Sequence, residues 1–266
     1  MAPSQRFWKK FLYAVYLWIF PVVDLKKLIK WGPAMVRYCR DWFKYKKLSG
    51  AEKLDLINSH PRLYERLPTT PIDNHYFYQD IWAFKKIYQS KVPGHVDIGS
   101  TVEFVGFLSA ITKVTFIDIR PIAVNLSNFN SKAGNILNLP FTDNSLKSLS
   151  CLHVAEHIGL GRYGDDLDPQ GTRKACAELF RVLALGGKLY FSLPVGRPRV
   201  CFNAHRIHSP QQILDYFKGL KLVEFAGIND QGVFQERLNP QDLTNSQYAC
   251  GLFLFTKEEY EKGFPN

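Results

Sequence analysis

Two short apolar strands, each closed by an aspartate, constrain this chain more than any other feature. Residues 95–98 run into Asp97-Ile98-Gly99-Ser100, and residues 114–118 end on Asp118, twenty-one positions after Asp97. A strand, a helix-length spacer and a second strand form a βαβ unit, whose strands lie parallel with a right-handed crossover. In doubly wound sheets the first strand–helix turn faces the ligand, and an acidic residue about 20 positions on accepts hydrogen bonds from a ribose. The turn departs from its glycine-rich form, because Thr101 and Glu103 stand where small residues are expected. A dinucleotide pyrophosphate needs backbone amides at close approach, and a glutamate there repels it. The pattern reads as a nucleoside site that holds no pyrophosphate.

Strand and helix signals alternate after Gly94, which argues a parallel sheet. Strands are expected at 95–98, 114–119, 133–136, 146–152, 188–193, 222–227 and 248–256. Helices are expected at 103–111, in a short piece capped by Pro121, at 173–183 with a stop at Gly186-Gly187, and after Ser209-Pro210. The last two strands, joined only by loop 228–247, predict an antiparallel edge hairpin. Upstream, 51–93 reads as a connector with two short helices, punctuated by Pro61, Pro68 and Pro71. Its second helix, 76–89, either lies over the ligand mouth or supplies core aromatics.

The net charge of +10 sits almost wholly in residues 1–50, which carry eleven Lys/Arg against Asp24 and Asp41. The uncharged run 11–23 is too short to span a bilayer, which takes about 20 residues, and Pro21 interrupts it. No small-x-small cleavage site follows it. Twelve aromatics among these basic residues suit the headgroup layer of an anionic membrane. Ordinary packing on the rest of the chain is the alternative. Nucleic-acid binding fits less well, because the basic residues are mixed with large aliphatic ones. The five cysteines are odd in number and scattered, with no C-x-x-C pair, so a reducing compartment is the simpler reading. The expected location is cytoplasmic, peripheral on the inner face of a membrane.

An ordered set of motifs carries a resemblance. Asp97-x-Gly99, Asp118, residues 134–141, Leu152-His153-Val154-Ala155-Glu156-His157 and the helix–Gly-Gly–strand block 178–189 resemble the class I S-adenosylmethionine-dependent methyltransferases. Residues 75–82, 159–168 and 202–206 further resemble a methyltransferase-like family of unknown function named for its Caenorhabditis members. The resemblance implies a doubly wound, mostly parallel, seven-stranded Rossmann-like sheet with an antiparallel edge hairpin and a helical N-terminal extension. Three segments follow: the basic extension 1–50, a helical connector and cofactor lid 51–93, and a methyltransferase domain 94–266. The implied cofactor is S-adenosylmethionine, held by Asp97, Gly99 and Ser100 on its methionine and ribose side. Asp118 would take both ribose hydroxyls, Asn135 the adenine amino group, and Ile136 the adenine face. A cofactor without phosphate tolerates Glu103. Relatives of the family often occur with polysaccharide-building enzymes, which implies a glycan or lipid-linked sugar as acceptor.

Methyl transfer to oxygen depends on positioning and on a base for the hydroxyl proton. The acceptor side lies beyond the fourth strand, where His153 is a candidate cofactor contact and His157 a candidate base. His205 is a second candidate base, with Arg206 beside it on a loop unusually polar for a connection. Asp165 and Asp166 are candidate ligands for sugar hydroxyls, or simply a solvated turn. Three carboxylates in that loop match no fixed metal spacing, so no metal site is read. Two rival readings remain: an inactive methyltransferase-like binding module at a membrane surface, motivated by Thr101, Glu103 and Asn135, and a nicotinamide-dependent oxidoreductase, which the missing glycines fit worse.

Overall fold

The computed structural model describes residues 3–21 and 23–258. Val22 and the ends of the first and third predicted segments (1–2 and 259–266) lie outside the described residues. The chain divides into two compact units, 1–71 and 72–266. The division falls inside the predicted connector.

In the first unit, α1 (Pro3–Ile19) and α2 (Leu25–Tyr45) are amphipathic helices. Asp24 caps α2 by accepting from the amides of Lys26 and Lys27. The chain after α2 folds back through side-chain bonds, Arg37 to the Leu63 carbonyl and Tyr38 with Ser59. Ala34 is the one apolar residue buried among the described residues of this unit.

The second unit opens with α3 (Asn74–Ser90), capped by Asp73. Then come β1 (Gly94–Ile98), α4 (Val102–Leu108), β2 (Lys113–Asp118), β3 (Phe129–Ala133), β4 (Leu146–Leu152), α5 (Gly171–Val182) and β5 (Leu183–Val195). A two-stranded ribbon, β6 (Arg199–Cys201) and β7 (His205–Ile207), precedes α6 (Pro210–Tyr216), β8 (Lys221–Ile228), β9 (Phe234–Gln235) and β10 (Ala249–Thr256). The main sheet runs β3-β2-β1-β4-β5-β10-β8-β9. Its first five strands are parallel, and β10, β8 and β9 join antiparallel. Strand order reverses between β1 and β4, the place where doubly wound sheets open a crevice. The central strands are covered on both faces, so their polar members His95, Asp97, Ser148, Ser150 and Ser192 are buried along with the apolar ones. α5 and α6 pack on one face around Leu179, Ile213 and Phe217, and α3 and α4 on the other around Trp82, Val105 and Leu108.

The doubly wound, mostly parallel sheet with its antiparallel edge is as expected, and four details differ. β9 adds an eighth strand at the edge. No helix follows Pro121: residues 121–126 are irregular, and the Ile122 amide donates to Ser131 Oγ, which holds the segment along β3. The third strand ends at Ala133 instead of starting there, because Asn135 turns the chain by accepting from the Leu137 amide. Finally, Gly186-Gly187 does not precede the fifth strand but lies inside it. β4 pairs Leu146 with Leu183 and then Ser148 with Lys188, so the glycines form a bulge, with Gly186 at φ +70°.

Candidate active site

The turn after β1 needs its glycine. Gly99 has φ +66°, and an added Cβ would stand 3.2 Å from Val154 Cγ1 and 3.3 Å from Asp118 Oδ2. Asp118 ends β2 facing this turn, with Oδ1 accepting from the Arg120 amide at 2.7 Å. Gly99, Asp118, Gly134, Ile136, His153 and His157 are among the residues that line a crevice at the switch point. Its volume is about 100 Å³, below the roughly 300–1,000 Å³ of ordinary ligand sites. Tyr163, which also lines it, carries the Arg120 guanidinium 4.7 Å from its ring centroid. Asn135 is exposed, and its side-chain oxygen already serves the Leu137 amide.

Asp97 and Ser100 stand behind the turn rather than in the crevice. Ser100 N and Oγ donate to Asp97 at 3.0 and 2.7 Å, and Ser150 Oγ also donates to it. Ser100 Oγ accepts from the Leu152 amide, so this buried network ties the turn to β4. Burial pushes the Asp97 carboxyl up to about 7 despite these donors.

The end of β4 gathers the titratable groups. His153 adopts φ +56°, and its Nδ1–H donates to Gln79 Oε1 at 2.7 Å. Its Nε2 is buried without a hydrogen-bond partner among the described residues. Both oxygens of Glu156 are likewise buried without a hydrogen bond among the described residues, and burial raises its carboxyl to about 8. His157 donates Nδ1–H to the Ala204 carbonyl at 2.5 Å, and its Nε2 lies 3.7 Å from Glu156 Oε1. Burial lowers His157 to about 4, so it is neutral near pH 7 with its lone pair on Nε2.

His153 also borders a second pocket of about 370 Å³, polar, with Asp73, His75, Tyr76, Asp230 and Tyr248 in its walls. The Asp73 cap fixes the first turn of α3, and this places His75 and Tyr76 with ring centroids 5.5 and 5.1 Å from that of His153. His205 packs on Tyr248 at 5.2 Å. An apolar groove of about 980 Å³ along α3 and α4, with Phe77, Ile81 and Phe107 in its walls, shares Ile72, Asp73 and Tyr76 with this pocket.

The loop after β4 is built by its own polar residues. Asp165 accepts from the amides of Gly159, Leu160 and Tyr163. Arg206 is buried and donates to the carbonyls of Ile158 and Asp168 at 2.5 and 2.8 Å. Both act as clamps on loop 159–168 here, while Asp166 is exposed. The structure thus brings Gly99, Asp118, Ile136, His153 and His157 to one crevice. It sets Asp97, Ser100, Asn135, Asp165 and Arg206 around that crevice as supports. Sequence reasoning passed over Gln79, Arg120, Glu156, Tyr163 and Tyr248 as site residues. Only the cap Asp73-x-His75-Tyr76 and the H-x-x-E-H run carried a local signal.

Residues 99–249 match the family described as Caenorhabditis protein of unknown function, DUF268, more than half of the chain. No curated protein matches the sequence. Among solved structures, the N-methyltransferase NodS from Bradyrhizobium japonicum WM9 is similar at 20% identity and TM-score 0.48, covering 70% of this chain and 99% of that one. The same protein in complex with S-adenosyl-L-homocysteine gives 18% and 0.45, covering 70% and 100%. A TehB-like SAM-dependent methyltransferase from Corynebacterium glutamicum gives 15% and 0.43, covering 66% and 88%.

Proposed function

We propose, from the premise that the chain belongs to the DUF268 family of Caenorhabditis proteins of unknown function, that it is an S-adenosylmethionine-dependent methyltransferase. The observation that carries this is the position of His153, a wall common to a crevice with a ribose-type aspartate and to a separate polar pocket. Two substrates meeting at one side chain is the arrangement that group transfer requires.

The residues present fit a nucleoside. Asp118 Oδ2 faces Gly99, the glycine keeps the turn open to it, and Ile136 offers an apolar wall. Space is the constraint, and Tyr163 with Arg120 closes it. An exposed cation–π pair is worth only about 0.5–1 kcal/mol, so displacing it is cheap. When bound, the cofactor supplies a methyl group on a sulfonium. His157, which lines the crevice rather than the polar pocket, would take the acceptor proton at Nε2, its ring fixed by the Ala204 carbonyl, and Glu156 at 3.7 Å would offset the new charge once ionised.

For the acceptor we favour a hydroxyl of a glycan or lipid-linked sugar in polysaccharide assembly. Carboxylates beside aromatic rings, as in Asp73, Tyr76, Asp230 and Tyr248, suit sugar hydroxyls and sugar faces. The adjoining apolar groove offers room for a lipid tail. Residues 1–50 contribute a peripheral contact with an anionic membrane face. The second reading, an inactive binding module, draws on the closed crevice.

Calorimetric titration with S-adenosylhomocysteine separates the two. The parent is expected to bind, and Asp118→Ala to bind at least about tenfold more weakly, from loss of a charge-assisted pairing. Equal behaviour of parent and variant, or no heat at millimolar ligand, would leave the binding-module reading in place.

A further inference from the structure

Three potential metal ligands converge beside the polar pocket from distant parts of the chain. His75 comes from the first turn of α3, His153 from the end of β4, and Cys250 from the start of β10. One ligand atom from each lies within 4.8 Å of the other two. Zinc-type bonds of about 2.0–2.3 Å place tetrahedral ligands about 3.3–3.7 Å apart. Closing the set therefore takes side-chain movements of about an ångström.

The hydrogen bonds already have the pattern of an outer shell. Metal-bound histidines donate their remaining N–H to a carbonyl or carboxylate, which fixes the tautomer and aims the other nitrogen. His153 gives Nδ1–H to Gln79 Oε1 at 2.7 Å, and Ser192 Oγ donates to the same oxygen at 2.6 Å. This leaves Nε2 as a buried lone pair with no partner among the described residues, while Cys250 Sγ lies 4.0 Å from Nδ1 of the same ring. An unpaired buried lone pair destabilises the fold, and a ligand bond would recover that loss. His75 is stacked on the Tyr248 ring, with centroids 4.9 Å apart. Cys250 is fully buried, and burial raises its thiol well above the ordinary value, with the acidic groups Glu156, Asp73 and Asp80 adding to the shift.

We propose that His75, His153 and Cys250 bind a divalent transition ion of the zinc type, with a further coordination position open to the pocket. One sulfur and two imidazoles select zinc or its neighbours over magnesium or calcium. On binding, Cys250 gives its proton to solvent and both histidines ligate as neutral rings. The opening follows from His75 and His153, which both line the 370 Å³ pocket. Three protein ligands and one open position mark a metal that meets substrate. Its effect there, lowering the pKa of an acceptor hydroxyl or thiol bound to it, rests on the methyl-transfer reading. The ion site itself does not.

Cobalt(II) titration of the full chain, with no cofactor or acceptor present, tests the site. Expected are tetrahedral d–d bands and a thiolate-to-cobalt charge-transfer band that saturate at one equivalent. Cys250→Ser should lose the charge-transfer band and Cys39→Ser should keep it. His75→Ala, at a partly exposed helix start, should lose the tetrahedral bands. Gln79→Leu should weaken binding about 10–100-fold, as loss of an outer-shell partner does. Absence of the charge-transfer band in the parent, or its survival in Cys250→Ser or His75→Ala, would overturn the proposal. Failure to bind S-adenosylhomocysteine would leave this result untouched, so the two readings fail separately.

Discussion

At the scale of single residues, charge burial governs the site. Asp97 is fully buried and its carboxyl lies near 7, above the ordinary 3.8. An acid raised on folding binds more protons in the folded state, so its penalty is absent below pH 3.8 and grows until pH reaches about 7. Glu156 acts with the same sign up to about 8. His95, His157 and His208, lowered by burial to about 3, 4 and 4, oppose this trend only below pH 6.5, where the unfolded chain protonates them. Between pH 6.5 and 8 the two acids therefore act alone, and stability should fall. Asp97→Asn keeps an oxygen for the Ser100 amide, offers N–H donors to the Ser100 and Ser150 hydroxyls, and removes the charge. Its Tm should exceed the parent's at pH 8, by about 2–4 °C for each kcal/mol relieved, with the gap closing toward pH 5. Thermal unfolding at both pH values checks this, and a gap independent of pH would rule out the buried charge as the cause. The Asp-x-Gly-Ser pattern announced this position, but not its role. Sequence spacing places the aspartate at a strand end, while its burial behind the turn depends on Ser150, a neighbour some fifty residues away.

Among elements, the decisive joint is between α5 and the 3-10 turn Ala155–His157 that follows β4. Gly171 opens α5 against this turn, where an added Cβ would stand 2.1 Å from the Ile158 carbonyl oxygen. Thr172 Oγ1 donates to the Ala155 carbonyl beside it, and Arg206 holds the same Ile158 oxygen from β7. A helix start, a strand end and a ribbon thus fix where Glu156 and His157 sit. Gly171→Ala should cost about 1–3 kcal/mol, the usual penalty for overpacking, read as a lower urea midpoint at unchanged slope. An unchanged midpoint would mean that the joint is slack and does not position the site. Most elements were legible, because apolar runs and turn residues punctuate this chain clearly. The Gly99–Asp118 side of the crevice was legible too, since one βαβ unit contains both residues. The pocket beyond it was not. It takes His75 from α3, His153 from β4 and Tyr248 from the approach to β10, and no periodicity links residues so far apart. The Gly-Gly bulge inside β5 was missed for a related reason: pairing with β4 overrode the local stop signal.

For the whole molecule, the uneven distribution of charge and apolar surface along the chain bears most on where it works. Eleven basic residues lie within 1–50, and the same helices expose Trp18 at 87%, Ile29 at 79% and Val36 at 70%. Among the described residues, no helix is long and apolar enough to cross a membrane. Large apolar and basic side chains exposed together on amphipathic helices are suited to lying in a headgroup layer. Each Lys or Arg near an anionic surface contributes about 1 kcal/mol, and that attraction fades as the Debye length drops from about 10 Å at 0.1 M salt to about 3 Å at 1 M. Apolar insertion does not fade in this way. The full chain should therefore co-sediment with vesicles containing phosphatidylserine, release substantially at 1 M salt, and bind neutral phosphatidylcholine vesicles poorly. Trp18→Ser combined with Ile29→Ser should weaken binding to anionic vesicles while leaving its salt dependence in place, because the charges are untouched. Equal binding to neutral and anionic vesicles would remove the electrostatic half of the argument. If the double variant sedimented like the parent, the exposed rings and aliphatic side chains of α1 and α2 would need another partner.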